Sequence, residues 1–175
     1  MLPRFWTRIP VAWRPALLRL GLNYFPAYRA TGARIIHVSA DLKHVVVRLP
    51  LTRRTRNGVG TLYGGSLYSA TDPIFAILLA INLGRDYVVW DKSASIRFRR
   101  PGRGALLAAF TISDEDLAVV RETVAREGQC DRTFCVQFRD AQGLVHVEVE
   151  KTVYIARKDH YRDRASTWAS PQEGA

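Results

Sequence analysis

The strongest pattern along the chain is a long apolar run. From Ser66 to Leu83 the only side chain charged at neutral pH is Asp72, and Leu67, Ala70, Ile74, Phe75, Ile77, Leu78 and Ile81 cover most of a helical circumference. The spacing predicts one long helix from Gly64 to Leu83, stopped by Gly84 and buried on all sides, as a helix wrapped by a sheet is. Pro73 has no amide to donate, so a kink is expected there.

On either side the apolar period shortens to two. Arg34–Ser39 and His44–Leu49 are β-branched runs separated by Ala40–Lys43 and predict a hairpin, followed by a polar, basic loop over Thr52–Gly60. In Tyr87–Arg99 the residues Val88, Trp90, Ala94, Ile96 and Phe98 fall on one face with Lys92 among them, and Asp91, Ser93, Ser95, Arg97 and Arg99 on the other. Pro101 and Gly102 end that strand. Ala105–Ile112 predicts a further strand, and Asp114 a cap on an amphipathic helix from Glu115 to Arg126. Thr133–Arg139 and Val145–Ile155 complete the strands around a turn at Asp140–Gly143, with Val145, Val147, Val149, Val153 and Ile155 pointing inward.

The order is strand, strand, buried helix, strand, strand, helix, strand, strand. That is an α+β domain over residues 31–157 with a mostly antiparallel sheet. Residues 1–30 form a basic extension with a short helix over Pro15–Leu22, and residues 158–175 a polar tail without periodicity, expected to be loosely ordered.

The 175 residues suit one domain with its own core. Charge changes the picture because it is lopsided: residues 1–71 carry eleven Arg and Lys against the single acid Asp41, while residues 72–175 carry fifteen of each sign. A basic surface draws phosphates, anionic lipid or nucleic acid. No nucleic-acid recognition motif accompanies it, so nucleic acid ranks last. Cys130 and Cys135 are too few for a disulfide framework and, five apart on a strand, point to opposite faces, which suits reduced residues of a cytoplasmic protein.

Asp72 and Pro73 interrupt the one run near the ~20 apolar residues that span a bilayer. Residues 1–30 lack the compact apolar stretch and cleavage site of a secretory leader. They form either a helix packed on the domain or a basic amphipathic segment in weak contact with a membrane surface. His37 and His44 have no neighbours at ligand spacing, so neither a metal nor another cofactor is implied.

The helix start carries a motif: Asn57, then Tyr63-Gly64-Gly65, then Asp72, and later a strand closing on Ile96-Arg97-Phe98-Arg99-Arg100-Pro101. It resembles hotdog thioesterases of the phenylacetate-pathway type, which have an Asn, a His-Gly-Gly at the helix start and an acid nine residues after the His. The segments GTLYGGSLYSATDP, DYVVWDKSASIRFRRPGRG and KTVYIAR are similar to DUF4442, an uncharacterised hotdog subfamily, over residues 30–157. The resemblance implies the hotdog fold, an antiparallel sheet wrapped around a central helix, and acyl-thioester hydrolysis by a homodimer or dimer of dimers. Tyr63 departs from the pattern by standing where those thioesterases often carry His; a phenol can donate a hydrogen bond but does not titrate near neutral pH.

Carried onto this chain, the resemblance makes Asp72 the base or nucleophile and the Gly64 amide an oxyanion donor aided by the helix dipole. Gly65 lets substrate approach, Asn57 orients water or carbonyl, and Tyr63 lines the wall. Ser66, Asp91 and Ser93 would line the groove, with Arg99 and Arg100 placed for the phosphates of an acyl-CoA or acyl-carrier thioester. On one helix Gly64 and Asp72 lie ~12 Å apart along the axis, so two copies must meet to act on one carbonyl.

Each residue also has a structural alternative. An Asp before a Pro is what a helix N-cap looks like, paired glycines suit tight packing, and Asn57 before Gly58 suits a turn. Asp91 and Lys92 suit an ion pair in a dimer interface. The competing function is a hotdog module that binds acyl-CoA or acyl groups without hydrolysing them.

Overall fold

The computed structural model describes Trp6 and residues 8–168, so the outer ends of the expected extension and tail lie outside the described residues. In chain order the elements are α1 (Arg14–Tyr24), α2 (Pro26–Ala30), β1 (Arg34–Val38), β2 (His44–Leu49), α3 (Gly64–Ser69) and α4 (Ile74–Leu83). They continue with β3 (Tyr87–Phe98), β4 (Leu106–Thr111), α5 (Asp114–Glu127), β5 (Gln129–Arg139), β6 (Val145–Arg157) and α6 (Lys158–Trp168). The six strands make one sheet in the order β1-β2-β4-β5-β6-β3. Every neighbouring pair is antiparallel.

Alternation places the core. Val45, Val47 and Leu49 of β2 lie opposite Phe110, Ala108 and Leu106 of β4, and all six are buried. On this layer α4 sets Phe75, edge-to-face with Phe110 at 5.1 Å between ring centroids and stacked on Phe134 at 4.8 Å. α5 covers β5 with Leu117, Val120 and Val124. Its N-cap is Ser113 rather than the expected Asp114: the Ser113 side chain accepts the Asp116 amide, and the Asp116 carboxylate accepts the Ser113 amide, so the acids of the first turn sit one step inside.

The expected single kinked helix is two helices. Pro73 offers no amide, and the Ile74 amide turns to the Thr71 carbonyl, freeing the carbonyl of Ala70. The buried Tyr28 hydroxyl of α2 donates to that carbonyl at 3.2 Å. By length and composition Gly64–Leu83 would be apolar enough to cross a membrane, yet it is broken here and half of it is buried inside the protein.

The N-terminal helix is packed on the domain, the first of its two expected roles. The Asn23 side chain of α1 both donates to and accepts from the backbone of Ile35, at 2.9 and 2.8 Å, and so occupies part of the sheet edge at β1. Residues 158–168 are helical where a loosely ordered tail was expected. Their composition has no strong apolar face, but Tyr161 meets Trp90 edge-on at 4.9 Å, so β3 supplies the packing partner.

Cys130 is half-buried and Cys135 exposed, and neither is in a disulfide. Burial pushes the Cys130 thiol up to about 11. A thiol-reactive chromophore at neutral pH is therefore expected to titrate Cys135 promptly and Cys130 far more slowly; equal rates in the native protein would contradict this packing.

Candidate active site

The site grows from an irregularity in β3. Its pairing with β6 runs Asp91 opposite Val153 and then Ser93 opposite Thr152, so Lys92 is an extra residue in a bulge. A one-residue insertion exchanges the faces of everything before it. After the bulge Ala94 and Ile96 face inward as expected, opposite Lys151 and Val149 of β6, and Phe98 follows on the same side at the more exposed end of the strand. Before the bulge the inward positions are Asp91 and Val89, opposite the buried Val153 and Ile155. Val88 and Trp90, expected inside, lie on the other face, where Trp90 stacks on Tyr154 at 4.9 Å. The expected polar face shared by Asp91 and Ser93 is thereby split: Asp91 points in and Ser93 is exposed on the outer face.

What Asp91 meets inside is Lys151, which is 1% exposed in the middle of the inward row of β6. Its ammonium donates to Asp91 Oδ2 and lies 3.9 Å from Asp72 Oδ1 at the break between α3 and α4. The Tyr68 ring lies 5.9 Å from the same nitrogen. The expected pairing of Asp91 with Lys92 gives way to this contact, and Lys92 bonds Asp131 on β5 at 2.5 Å. The Asp91 carboxyl is pushed above its ordinary value, first by burial and further by the neighbouring Asp72 carboxyl, against the downward pull of Lys151. Asp91 Oδ1 is buried without a hydrogen-bond partner.

Asp72 itself caps nothing. The residue preceding α4 is Pro73, no side chain caps that helix, and the Asp72 side chain is 61% exposed. It stands on a ridge between two hollows. One is an apolar groove of about 970 Å³ between α1, α4 and β3, walled by residues such as Leu18, Leu22, Ile77, Ala80 and Val89; Asp72 and Asp91 are the charged residues in its lining among those described. The other, about 600 Å³, is lined by Tyr28, Tyr63, Gly65, Ser66 and Ser69.

Gly64 belongs elsewhere in the single chain. With Asn57, Phe98, Arg99 and Arg100 it lines a third hollow of about 430 Å³. The α3 start carries no side-chain cap, which leaves its first amides to solvent or ligand, but α3 has only six residues, so the dipole expected of a long helix is reduced to that of a short one. A Cβ on Gly65 would stand 2.4 Å from the Tyr63 ring, which is why a glycine follows that tyrosine so closely. The Asn57 side chain is spent on its own loop: Oδ1 accepts the amides of Val59 and Thr61, and Nδ2 donates to Thr61 Oγ1 at 2.9 Å. Arg99 pairs with Glu148 at 2.7 Å, and Arg100 donates to the Val145 carbonyl at 2.9 Å.

Lys151 is the residue that sequence reasoning missed. Its signal lay in the inward series Val145, Val147, Val149, Val153 and Ile155, where period two makes position 151 inward as well. Among the described residues no group of three or more His, Cys, Asp and Glu side chains is arranged to hold a metal ion.

No curated protein matches the chain. Solved structures do. PA5026 of Pseudomonas aeruginosa, called a probable thioesterase, is 20% identical with a TM-score of 0.73 over 85% of this chain and 97% of that one. The thioesterase HI1161 of Haemophilus influenzae is 15% identical with a TM-score of 0.61 over 80% of this chain and 88% of that one. The E. coli PaaI protein of the phenylacetic acid degradation operon is 19% identical with a TM-score of 0.58 over 84% of this chain and 93% of that one. The antiparallel sheet around a central helical segment is thus the hotdog fold. Within it the chain belongs to the family described as Domain of unknown function (DUF4442), whose profile matches residues 15–155.

Proposed function

We propose that this protein hydrolyses acyl thioesters, acyl-CoA or an acyl-carrier thioester, with Asp72 as the base that activates water or as the nucleophile. The observation that carries this reading is an exposed carboxylate with no capping role at the end of an apolar groove. An acyl chain lying along the α1 and α4 walls brings its carbonyl to Asp72. The partial negative charge that develops on the carbonyl oxygen needs amide donors, and Gly64 and Gly65 offer them without a Cβ in the way.

Because Gly64 and Asp72 line different hollows of one chain, the Gly64 amide that serves Asp72 comes from a second copy. β3 is the route for that pairing: it is a twelve-residue strand at the sheet edge opposite β1. Antiparallel addition of two β3 strands would continue the sheet and bring the two sites together. Arg99, Arg100 and the exposed Arg53, Arg54 and Arg56 then supply cations for the phosphates of the carrier.

The test is hydrolysis of short, medium, long and aromatic acyl-CoAs, followed by release of free thiol, with light scattering on the same sample. Turnover by a dimer or larger assembly is expected. No turnover on any member, together with an acyl-CoA-dependent rise in melting temperature, would instead establish a binding module.

A further inference from the structure

Packing on the domain uses only one side of α1. Leu18 is buried, Leu22 is half-buried and the Asn23 side chain is fixed to the backbone of β1. Away from them runs a second apolar stripe, Trp13, Leu17, Leu20 and Tyr24, whose intervals of four, three and four residues keep it on one helical face. All four are exposed, Trp13 by 65% and Tyr24 by 70%, and Phe25 continues the stripe at 53%. Single apolar residues on a surface need no partner. A contiguous stripe with aromatic rings at both ends marks a contact surface.

Charge identifies what covers it. The first forty residues hold six arginines and no acid, the first acid being Asp41, and Arg8, Arg19 and Arg29 are exposed along the same segment. A second copy meeting this face about a two-fold axis would set arginine against arginine. An anionic bilayer instead takes apolar side chains at its acyl boundary, Trp and Tyr at the level of the headgroups, and arginine at the phosphates. With eleven residues α1 is too short to cross a bilayer, so it would lie along the surface.

We propose that α1 docks the protein on anionic lipid membranes through Trp13, Leu17, Leu20, Tyr24 and Phe25, with Arg8, Arg19 and Arg29 on the headgroup phosphates. Leu17, Leu20 and Phe25 also line the apolar groove of about 970 Å³, so the docking face adjoins it. The consequence rests on the hydrolase reading: an acyl chain held in the bilayer reaches the groove beside α1 without crossing water. The docking itself does not depend on that reading.

The test needs no substrate. The full chain is sedimented with vesicles of phosphatidylcholine alone and of phosphatidylcholine mixed with phosphatidylglycerol. The wild type is expected to pellet with the anionic vesicles and not with the neutral ones, and added salt is expected to weaken binding. Arg19→Glu and Trp13→Ser should each weaken it by about tenfold, with melting temperatures close to that of the wild type, because both side chains are exposed. Neither residue lines the groove. Arg126→Glu is the control: it changes net charge as much as Arg19→Glu, but α5 packs on β5, which β2 and β4 separate from β1 and its neighbour α1. Its binding is expected to stay within about twofold of wild type.

A wild type that stays in the supernatant with anionic vesicles overturns the proposal, and so do equal losses in Arg19→Glu and Arg126→Glu, which would mean diffuse attraction of a basic protein. Light scattering on the same variants covers the remaining occupant. If Trp13→Ser and Arg19→Glu split the wild-type assembly, the stripe joins copies of the chain and the membrane is excluded. A wild type that binds the vesicles yet hydrolyses no acyl-CoA ends the hydrolase reading and leaves the docking in place.

Discussion

Asp72→Asn is expected to lower kcat/KM for acyl-CoA hydrolysis by about a hundredfold or more, with a melting temperature close to that of the wild type. The two halves of this expectation have separate physical grounds. Asn keeps the size and hydrogen-bonding capacity of Asp but is not basic, so it can neither take a proton from water nor attack a carbonyl. The fold loses little, because the Asp72 side chain is largely exposed and caps no helix. Nor is Lys151 left without a counter-ion, since Asp91 remains bonded to it. Steady-state kinetics beside a thermal melt checks both halves. A well-folded variant that retains activity within a few-fold of wild type would remove Asp72 from the chemistry and leave the groove as a binding site.

Phe75→Ala is the substitution expected to cost the most stability, about 3–5 kcal/mol, and to lower the melting temperature by roughly 10 °C. Phe75 is 1% exposed and held between Phe110 of β4 and Phe134 of β5, so truncation opens a void that joins the helix to both strands. Ile77, two residues along α4, makes the internal comparison. It is half-buried and faces the groove rather than the sheet, and its replacement by Ala is expected to cost about 1 kcal/mol. Chemical denaturation of the two variants measures the difference. Similar losses would mean that α4 does not present Phe75 to the sheet as described.

The apolar periods of the chain determined most of the architecture. Inward rows on β2, β4 and β6 and the density of apolar residues after Gly64 specify a helix against a sheet, because a period of two buries one strand face and an almost continuous apolar run can only be satisfied in the interior. Asp72 stood out for the same reason: it is the one charged group in that run. Lys151 was equally legible, since an inward row that includes a lysine requires a partner for it, but the row shows the lysine only when polar positions are counted along with apolar ones.

What tertiary structure decided was register and the identity of partners. Whether β3 carries an extra residue at Lys92 depends on its pairing with β6, which no local pattern records, and that one residue turns Asp91 from the solvent face to Lys151. Pro73 announced a disturbance, but the separation into α3 and α4 is completed by the Tyr28 hydroxyl of α2, which takes up the Ala70 carbonyl that the break sets free. α6 forms because β3 offers Trp90 to Tyr161, a contact invisible in a polar tail read by itself. The physical reason is common to all three. Periodicity reports which face of an element is buried, whereas an insertion, a break or a docked helix is settled by whether a distant group satisfies the polar atoms and apolar surface it leaves open.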